Sequence, residues 1–153
     1  MGQDLVDMRT SLGYLLKEAS SALRVEMEAV LRPLGMTVTH YACLELLAQR
    51  PGLSNSELAR GAFVTRQSMN VLLQTLERAG EVTRPAEAPV GKALPAELTA
   101  KGRRRLETAS AAVRSVELRM LSGLSRDDRA EALRLMRSMI ASLREGSPGS
   151  TPG

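Results

Sequence analysis

The chain has 153 residues, a formal net charge of +4 and 25% charged residues, and this size predicts one small domain. Aromatic residues make up only 2% of the chain, which argues against a stacking platform for single-stranded nucleic acid and favours duplex DNA as the partner of a basic surface. The single cysteine excludes an intrachain disulfide framework and a cysteine-based zinc cluster.

An apolar stripe near the start of the chain predicts a long helix from about residue 5 to residue 31. The stripe consists of Leu5, Met8, Leu12, Leu15, Ala19, Leu23, Met27 and Val30. Tyr14 and Val25 fall on the opposite side. We therefore expect this helix to be covered on two sides, by its own lobe and by a second subunit, with an intramolecular bundle as the alternative.

The next predicted helix, Thr39–Gln49, carries the only histidine and the only cysteine of the chain. Both residues fall on its apolar side, together with Leu44. His40 is interpreted as a satisfied core histidine, as part of a ligand cleft, or as a metal ligand, and the last role lacks partner residues. Cys43 has no neighbouring cation that would lower the pKa of its thiol, which favours a small core residue over a redox sensor.

Two short helices joined by a tight connection are predicted between Ser54 and Gly80. Ser54 with Glu57 forms a capping box that begins the first helix, and Gly61 ends it. Thr65 caps the second helix, and its apolar face consists of Met69, Leu72, Leu73 and Leu76. This pattern is typical of a DNA-reading helix-turn-helix, with a plain helical hairpin as the alternative.

The outward face of the second helix carries amides and a guanidinium, and no acid before Glu77. Such side chains match the donors and acceptors of base edges in the major groove. The predicted DNA contacts of the two helices are Ser54, Asn55, Thr65, Arg66, Gln67, Ser68, Asn70, Val71 and Gln74. We expect Gln67 and Asn70 to contact base edges and Arg66 to contact a base or a phosphate. The two serines and Asn55 are expected at phosphates.

A strand from Glu81 to Arg84 and a second strand containing Leu94, Ala96 and Leu98 predict a two-stranded hairpin after this helix. Pro95 cannot donate to the ladder, so its strand must be an edge. A hairpin in this place is typical of a winged helix-turn-helix, and a mobile surface loop is the alternative. Lys92 at the tip and Arg84 at the base are the cations expected to contact DNA.

Two further apolar stripes predict helices between about residues 100 and 145. The stripes are Leu106, Ala109, Val113, Val116 and Met120, and then Leu133, Met136, Ile140 and Leu143. Ser125 with Asp128 is expected to begin the last helix. Residues 146–153, GSPGSTPG, have nothing to bury and are expected to be disordered.

Three segments in this order resemble the MarR family of bacterial transcriptional regulators: LELLAQRPGLSNSELAR, VTRQSMNVLLQTLERAGEVTR and LTAKGRRRL. The resemblance implies a mainly α fold with a small β-hairpin wing in a single domain, residues 1–145. A winged helix-turn-helix lobe would span about residues 36–98, and dimerisation helices about 5–31 and 100–145. Arg66–Ala79 would be the recognition helix. The family's common wing pattern, an Asp and an Arg two residues apart, is replaced here by APVGKA.

The resemblance also implies a homodimeric, sequence-specific repressor that binds a pseudo-palindromic duplex operator. Relatives bind small aromatic acids or phenols between the dimer frame and the DNA-binding lobe, and such a ligand would release DNA. His40 and Tyr41 fall in the matching helix, and the ligand-binding candidates are Tyr14, His40, Tyr41 and Leu44. A DNA-binding protein of this fold without an effector and a helical protein-interaction adaptor are the alternatives.

Other classes of protein have little support in the sequence. No stretch is long and apolar enough to span a membrane, and the N-terminal residues carry acids where a signal peptide carries cations, so we expect a cytoplasmic protein. There is no acid-rich cluster, glycine-rich phosphate loop or serine elbow. We therefore expect no enzymatic activity, no cofactor and no metal.

Overall fold

The computed structural model of the chain describes residues 5–84 and 96–146, which fold as helices with one short hairpin. The elements are α1 (Leu12–Leu31), a 3₁₀ turn (Arg32–Leu34), α2 (Val38–Gln49), α3 (Asn55–Gly61), α4 (Arg66–Arg78), β1 (Val82–Thr83), β2 (Glu97–Leu98), α5 (Ala100–Met120) and α6 (Arg126–Glu145). The predicted fold class, mainly α with a small hairpin, is confirmed. No helix within the described ranges is long and apolar enough to cross a membrane.

Serine and threonine caps begin the helices where the sequence predicts them. The Ser54 hydroxyl accepts from the Glu57 amide at the start of α3, at 3.2 Å. The Thr65 hydroxyl accepts from the amide of Ser68 at the start of α4, at 3.0 Å. These bonds satisfy first-turn amides that have no partner inside the helix, so the starts of both helices are set locally.

The predicted start of the first helix at about residue 5 is wrong, because α1 begins at Leu12. Ser11 caps it, and its hydroxyl accepts from the Tyr14 amide at 3.2 Å. Before this cap, the Asp7 carboxylate accepts from the backbone amide of Arg9 at 3.0 Å. The backbone carbonyl of Asp7 accepts from the backbone amide of Ser11 at 2.9 Å. These local bonds form a turn that competes with the helix. Leu5 is accordingly 86% exposed.

The chain divides into two compact units, Met1–Val116 and Glu117–Gly153. In the first unit one core lies among the end of α1, helices α2, α3 and α4, the base of the hairpin and α5. Its buried members include Leu31, Cys43, Leu44, Leu47, Leu58, Met69, Leu73, Leu76, Val82, Leu106 and Ala109. The predicted apolar face of α4 is therefore confirmed, because Met69, Leu73 and Leu76 are all buried.

The hairpin strands are shorter than the sequence predicts. β1 and β2 pair antiparallel, with Val82 opposite Leu98 and Thr83 opposite Glu97. The predicted strand residue Glu81 lies just before β1 and is buried, because its side chain has polar partners in the interior. Leu94, Pro95 and the wing tip with Lys92 lie outside the described residues, as does the tail after Gly146.

The connection from α4 to β1 depends on two glycines. Gly80 has φ of 76°, a left-handed conformation that glycine adopts without strain, and the next amide, of Glu81, donates to the Leu76 carbonyl at 2.9 Å. Gly102 in α5 lies directly against this connection, and a Cβ built on it would be 2.0 Å from the Glu81 carbonyl oxygen. The missing side chain therefore lets α5 approach the base of the hairpin.

The second unit contains the last turn of α5 and helix α6. The Ser125 hydroxyl accepts from the Asp128 amide at 3.1 Å, which confirms the predicted start of the last helix. The Arg129 guanidinium donates to the Leu121 carbonyl at 3.0 Å. α6 has no buried residue, and the predicted stripe residues Leu133 and Ile140 are 57% and 43% exposed in the single chain.

Replacing Gly102 with alanine should destabilise the first unit. The added Cβ would overlap the backbone oxygen of Glu81, so that α5 or the hairpin must shift, at a cost of about 1–3 kcal/mol. Urea unfolding measures the loss. Gly123→Ala is the matched control, because nothing lies within 4 Å of its Cβ position. Equal stability of the Gly102 variant and the wild type would contradict the close approach.

Candidate DNA interface and the buried ionic cluster

Helix α4 has one buried face and one exposed polar face. The buried face holds the helix on the core through Met69, Leu73 and Leu76. The side chains of Arg66, Gln67, Ser68, Val71 and Gln74 are exposed, and the first acid of the helix is Glu77 in its last turn. An exposed face of donors, acceptors and one apolar residue, without carboxylates, is complementary to base edges and phosphates in a major groove.

Thr65 and Ser68 form a small hydroxyl pair at the start of α4. The Thr65 hydroxyl accepts from the Ser68 amide and donates to the Ser68 hydroxyl at 2.9 Å. The Ser68 hydroxyl keeps its own proton for a further acceptor. The pair therefore presents one hydroxyl donor beside the first turn of α4, as a phosphate contact requires.

Two predicted contacts, Asn55 and Asn70, lie against each other. The Asn55 side-chain amide donates to the Asn70 side-chain oxygen at 3.4 Å, and both residues are half-buried. The Asn70 oxygen takes part in this bond, and the Asn70 NH₂ group does not. Ser54, whose hydroxyl caps α3, is also half-buried.

The predicted wing-base cation Arg84 lies beside the last turn of α4. Its Nε is 3.6 Å from Glu77 Oε2, and about a quarter of its side chain is exposed. The first acid of α4 is therefore partly neutralised by this arginine. Lys92, the other predicted wing cation, lies outside the described residues.

Sequence reasoning missed Phe63, which lies in the turn between α3 and α4. Its side chain is 91% exposed, and its φ of 58° is the only positive value found for a non-glycine residue in the described ranges. The backbone turn is held by the Val64 amide, which donates to the Ala59 carbonyl at 3.0 Å. No motif identifies such a residue, since an apolar residue between two helices ordinarily predicts burial.

The three residues His40, Glu81 and Arg105 form a buried ionic cluster that the sequence did not predict. Glu81 is 1% exposed. Its Oε1 is 3.0 Å from His40 Nε2 and its Oε2 is 3.1 Å from Arg105 Nη1. An ionised carboxylate only accepts, so the His40 ring donates from Nε2. The second guanidinium nitrogen of Arg105 donates to the Leu34 carbonyl.

Burial lowers the pKa of His40 below its usual value. Loss of solvent is the largest cause, and it outweighs the hydrogen bond and the charge of Glu81, which both raise the pKa. The charge of Arg105 lowers it further. His40 is therefore held as the neutral ring near neutral pH.

The other residues of the predicted ligand site differ in burial. Leu44 is fully buried in the core, Tyr41 is half-buried and Tyr14 is exposed on α1. Cys43 is fully buried, and burial raises the pKa of its thiol to about 12, which agrees with a small core residue. Within the described ranges, no group of three His, Cys, Asp or Glu side chains is placed to hold a metal ion.

The sequence model of the MarR family matches residues 34–93, which include the helix-turn-helix. The transcriptional repressor Rv2887 of Mycobacterium tuberculosis is 46% identical over 128 residues, which cover 84% of this chain and 92% of that protein. The chain belongs to the MarR family. Its predicted family membership is thereby confirmed.

Two solved structures of Rv2887 resemble this MarR-family chain along most of their length. The complex of Rv2887 with DNA has a TM-score of 0.71 at 44% identity, and the match covers 85% of this chain and 98% of that chain. The complex with salicylic acid has a TM-score of 0.71 at 45% identity, and the match covers 85% of this chain and 96% of that chain. The relative thus shares the fold described above.

Stability of the MarR-family chain should fall as pH decreases through 6.5. The folded state has the lower His40 pKa, so protons bind preferentially to the unfolded chain, and the contribution of His40 is complete only above the unfolded pKa of about 6.5. Below that pH the loss is at most about 1.4 kcal/mol per pH unit for one proton. Urea unfolding between pH 7 and pH 5 measures the slope.

His40→Gln is the control for this slope, because His40 is the only histidine of the chain and a glutamine amide can still donate to Glu81. The variant should lose the pH dependence in this window. An identical slope in the variant and the wild type would assign the titration to another group.

Proposed function

We propose that this chain is a homodimeric transcriptional repressor that binds a pseudo-palindromic duplex operator in the cytoplasm, with one helix α4 of each subunit in a major groove. The exposed, acid-free face of α4 carries this proposal, since the opposite face is held on the core. The relative Rv2887 has been solved with DNA, which supports the same activity here. No catalytic role is part of the proposal.

Four side chains of α4 are proposed to read the operator. Gln67 and Asn70 contact base edges, and Arg66 contacts a base or a phosphate. The Asn70 side-chain oxygen accepts one bond from Asn55, and the Asn70 NH₂ group is proposed to donate to a base acceptor. Val71, exposed on the same face, is suited to a thymine methyl group.

Phosphate contacts are proposed for the residues around this reading face. Ser54, Asn55, Thr65 and Ser68 place hydroxyl and amide groups at the starts of α3 and α4, where the helix dipole also favours an anion. Gln74 extends the face by one turn. Arg84 and Lys92 are proposed to contact the duplex from the wing.

The exposed apolar side chains of the terminal helices support the proposed dimer. In the second unit Leu133, Met136 and Ile140 of α6 are all more than two-fifths exposed. In the first unit Leu12 and Leu15 of α1 are also exposed. A monomer that left these faces in water would lose the stabilisation of burying them, whereas a twofold dimer covers both copies at once.

A small aromatic acid is proposed as the effector that lowers DNA affinity. The structure of Rv2887 with salicylic acid supports this ligand class. Of the candidates Tyr14, His40, Tyr41 and Leu44, His40 is bonded to Glu81 and Leu44 is fully buried. Their placement favours the alternative of a satisfied core histidine, so a ligand site on these four residues stays a prediction without structural support.

Gln67→Ala and Asn70→Ala should each lower specific operator binding by about 1–3 kcal/mol, because each removes one contact to a base edge. Binding to random duplex should change little. Fluorescence anisotropy with a duplex selected from a random pool measures both affinities. Gln49→Ala, which removes an exposed glutamine at the end of α2, is the matched control.

Lys92→Ala provides the contrasting result, because a phosphate contact carries no sequence information. It should weaken specific and random duplex alike and reduce the salt dependence by about one phosphate contact. Equal losses on specific and random DNA for the Gln67 and Asn70 variants would mean that another face of α4 reads the bases.

Leu133→Asp and Ile140→Asp should dissociate the dimer, because a carboxylate on the covered stripe would be buried without a partner. Light scattering should then give a mass near the 16.5 kDa of one chain, and twice that mass for the wild type. Leu135→Asp is the matched control, since this exposed leucine lies on the same helix but off the stripe. A dimeric mass for both stripe variants would remove α6 from the interface.

A further inference from the structure

Phe63 and Val71 are the only exposed aromatic, leucine, isoleucine, valine or methionine residues within residues 32–84, all of which the structure describes. Phe63 lies in the turn before α4, and Val71 lies on the outward face of that helix. The other large apolar side chains of these residues are buried or half-buried. The exposed apolar surface is therefore confined to the part of the chain proposed to contact DNA.

The surroundings of Phe63 carry cations and no acid. No acidic residue occurs between Glu57 and Glu77 in the sequence. Arg60 in the last turn of α3 and Arg66 in the first turn of α4 precede and follow Phe63, and both are exposed. Cations without neighbouring carboxylates attract a polyanion such as duplex DNA. The charges around the exposed ring therefore favour DNA over a protein as its partner.

Backbone hydrogen bonds and core packing hold the turn that carries Phe63. The Phe63 amide donates to the Arg60 carbonyl at 3.3 Å, and the Val64 amide donates to the Ala59 carbonyl at 3.0 Å. Val64 also packs against the core, and Thr65 then caps α4. The ring of Phe63 therefore extends from a fixed point of the backbone, as an ordered contact to a partner requires.

Phenylalanine is an unfavourable residue at this position in the free chain. Its φ of 58° lies in the left-handed region, which a bulky side chain rarely adopts and which glycine or asparagine adopts more readily. Its side chain is 91% exposed, so burial within the chain does not offset this strain. A contact that forms only in a complex accounts for a bulky apolar residue here.

The position of Phe63 in the chain places it where α4 would enter the major groove. Recognition helices contact base edges with their N-terminal residues. Successive Cα atoms are about 3.8 Å apart, so the Cα of Phe63 lies within about 12 Å of that of Arg66, which corresponds to about three base pairs of duplex. The apolar group that the major groove presents is the methyl group of thymine, and phenylalanine is one of the residues that contact it.

We propose that Phe63 is a specificity-determining residue whose ring packs on the 5-methyl group of a thymine, beside the bases contacted by the start of α4. The inference rests on the proposed DNA-binding function. The ring removes the methyl group from water, and burying one methyl group corresponds to about a fourfold difference in affinity. Phe63 thus selects thymine at one position of each half-site, in addition to the contacts of α4 itself.

Deoxyuridine substitution tests the contact, because replacing a thymine of the selected duplex with uracil removes only the 5-methyl group. At one thymine of the half-site, this substitution should weaken binding of the wild type about fourfold and leave binding of Phe63→Ala unchanged. Phe63→Met, which keeps a large apolar side chain, should retain part of the response. Val71→Ala is the matched control, since it should leave the response at this thymine intact. Fluorescence anisotropy measures each affinity.

Phe63→Asn separates the lost contact from a loss of stability. Asparagine tolerates the left-handed conformation better than phenylalanine does, so the urea midpoint of the variant should equal or exceed that of the wild type. Its affinity for the selected duplex should nevertheless fall about fourfold or more, because the apolar ring is missing. A residue that only holds the turn would instead lose stability and DNA affinity together.

Two results would overturn the inference and leave the proposed function intact. Equal affinity of Phe63→Ala and the wild type for the selected duplex would exclude a DNA contact and leave the exposed ring for a protein partner. The same response to every deoxyuridine substitution in Phe63→Ala and the wild type would exclude the thymine methyl group. Failure of the wild type to bind any duplex would instead remove the proposed function together with this contact.

Discussion

The structure of the first unit depends on the pairing of one buried carboxylate, that of Glu81. A charge removed from water is strongly destabilising unless both of its oxygens find partners, and here His40 and Arg105 supply them. The pairing constrains α2 through His40 and α5 through Arg105. Because Arg105 also donates to the Leu34 carbonyl, the turn between α1 and α2 is tied to the same point.

This constraint matters for function because Glu81 lies between the two elements proposed to contact DNA. On one side Gly80 ends α4 in a left-handed conformation, and on the other side β1 begins the wing. The Lys101 ammonium group donates to the Ala79 carbonyl at 2.7 Å, and the hydroxyl of Thr99, just before α5, donates to the Gly80 carbonyl. The start of α5 therefore also holds the end of α4. A reading helix held at several points presents its outward side chains in one orientation, which sequence-specific contacts require.

The same cluster favours the core-histidine role among the three that the sequence left open for His40. His40 is a buried partner of Glu81, whereas the other partner, Arg105, also lines a cavity of about 240 Å³. Arg105 is the only partly buried member of the cluster, since 31% of its side chain is exposed while its Nη1 is 3.1 Å from the Glu81 carboxylate.

The sequence by itself determined the features that arise within a few residues: the caps at Ser54, Thr65 and Ser125, the buried and exposed faces of α4, and the family. Periodicity and capping are local, so they can be read without the fold. The predicted start of the first helix at residue 5 was wrong, and the reason is also local. The turn at Asp7 and the cap at Ser11 outweigh the apolar spacing. Only the tertiary structure decided that Glu81 is buried, since its partners His40 and Arg105 lie 41 and 24 residues away in the chain. No spacing rule connects residues so far apart, and their meeting follows from the packing of α2 and α5 around the end of α4.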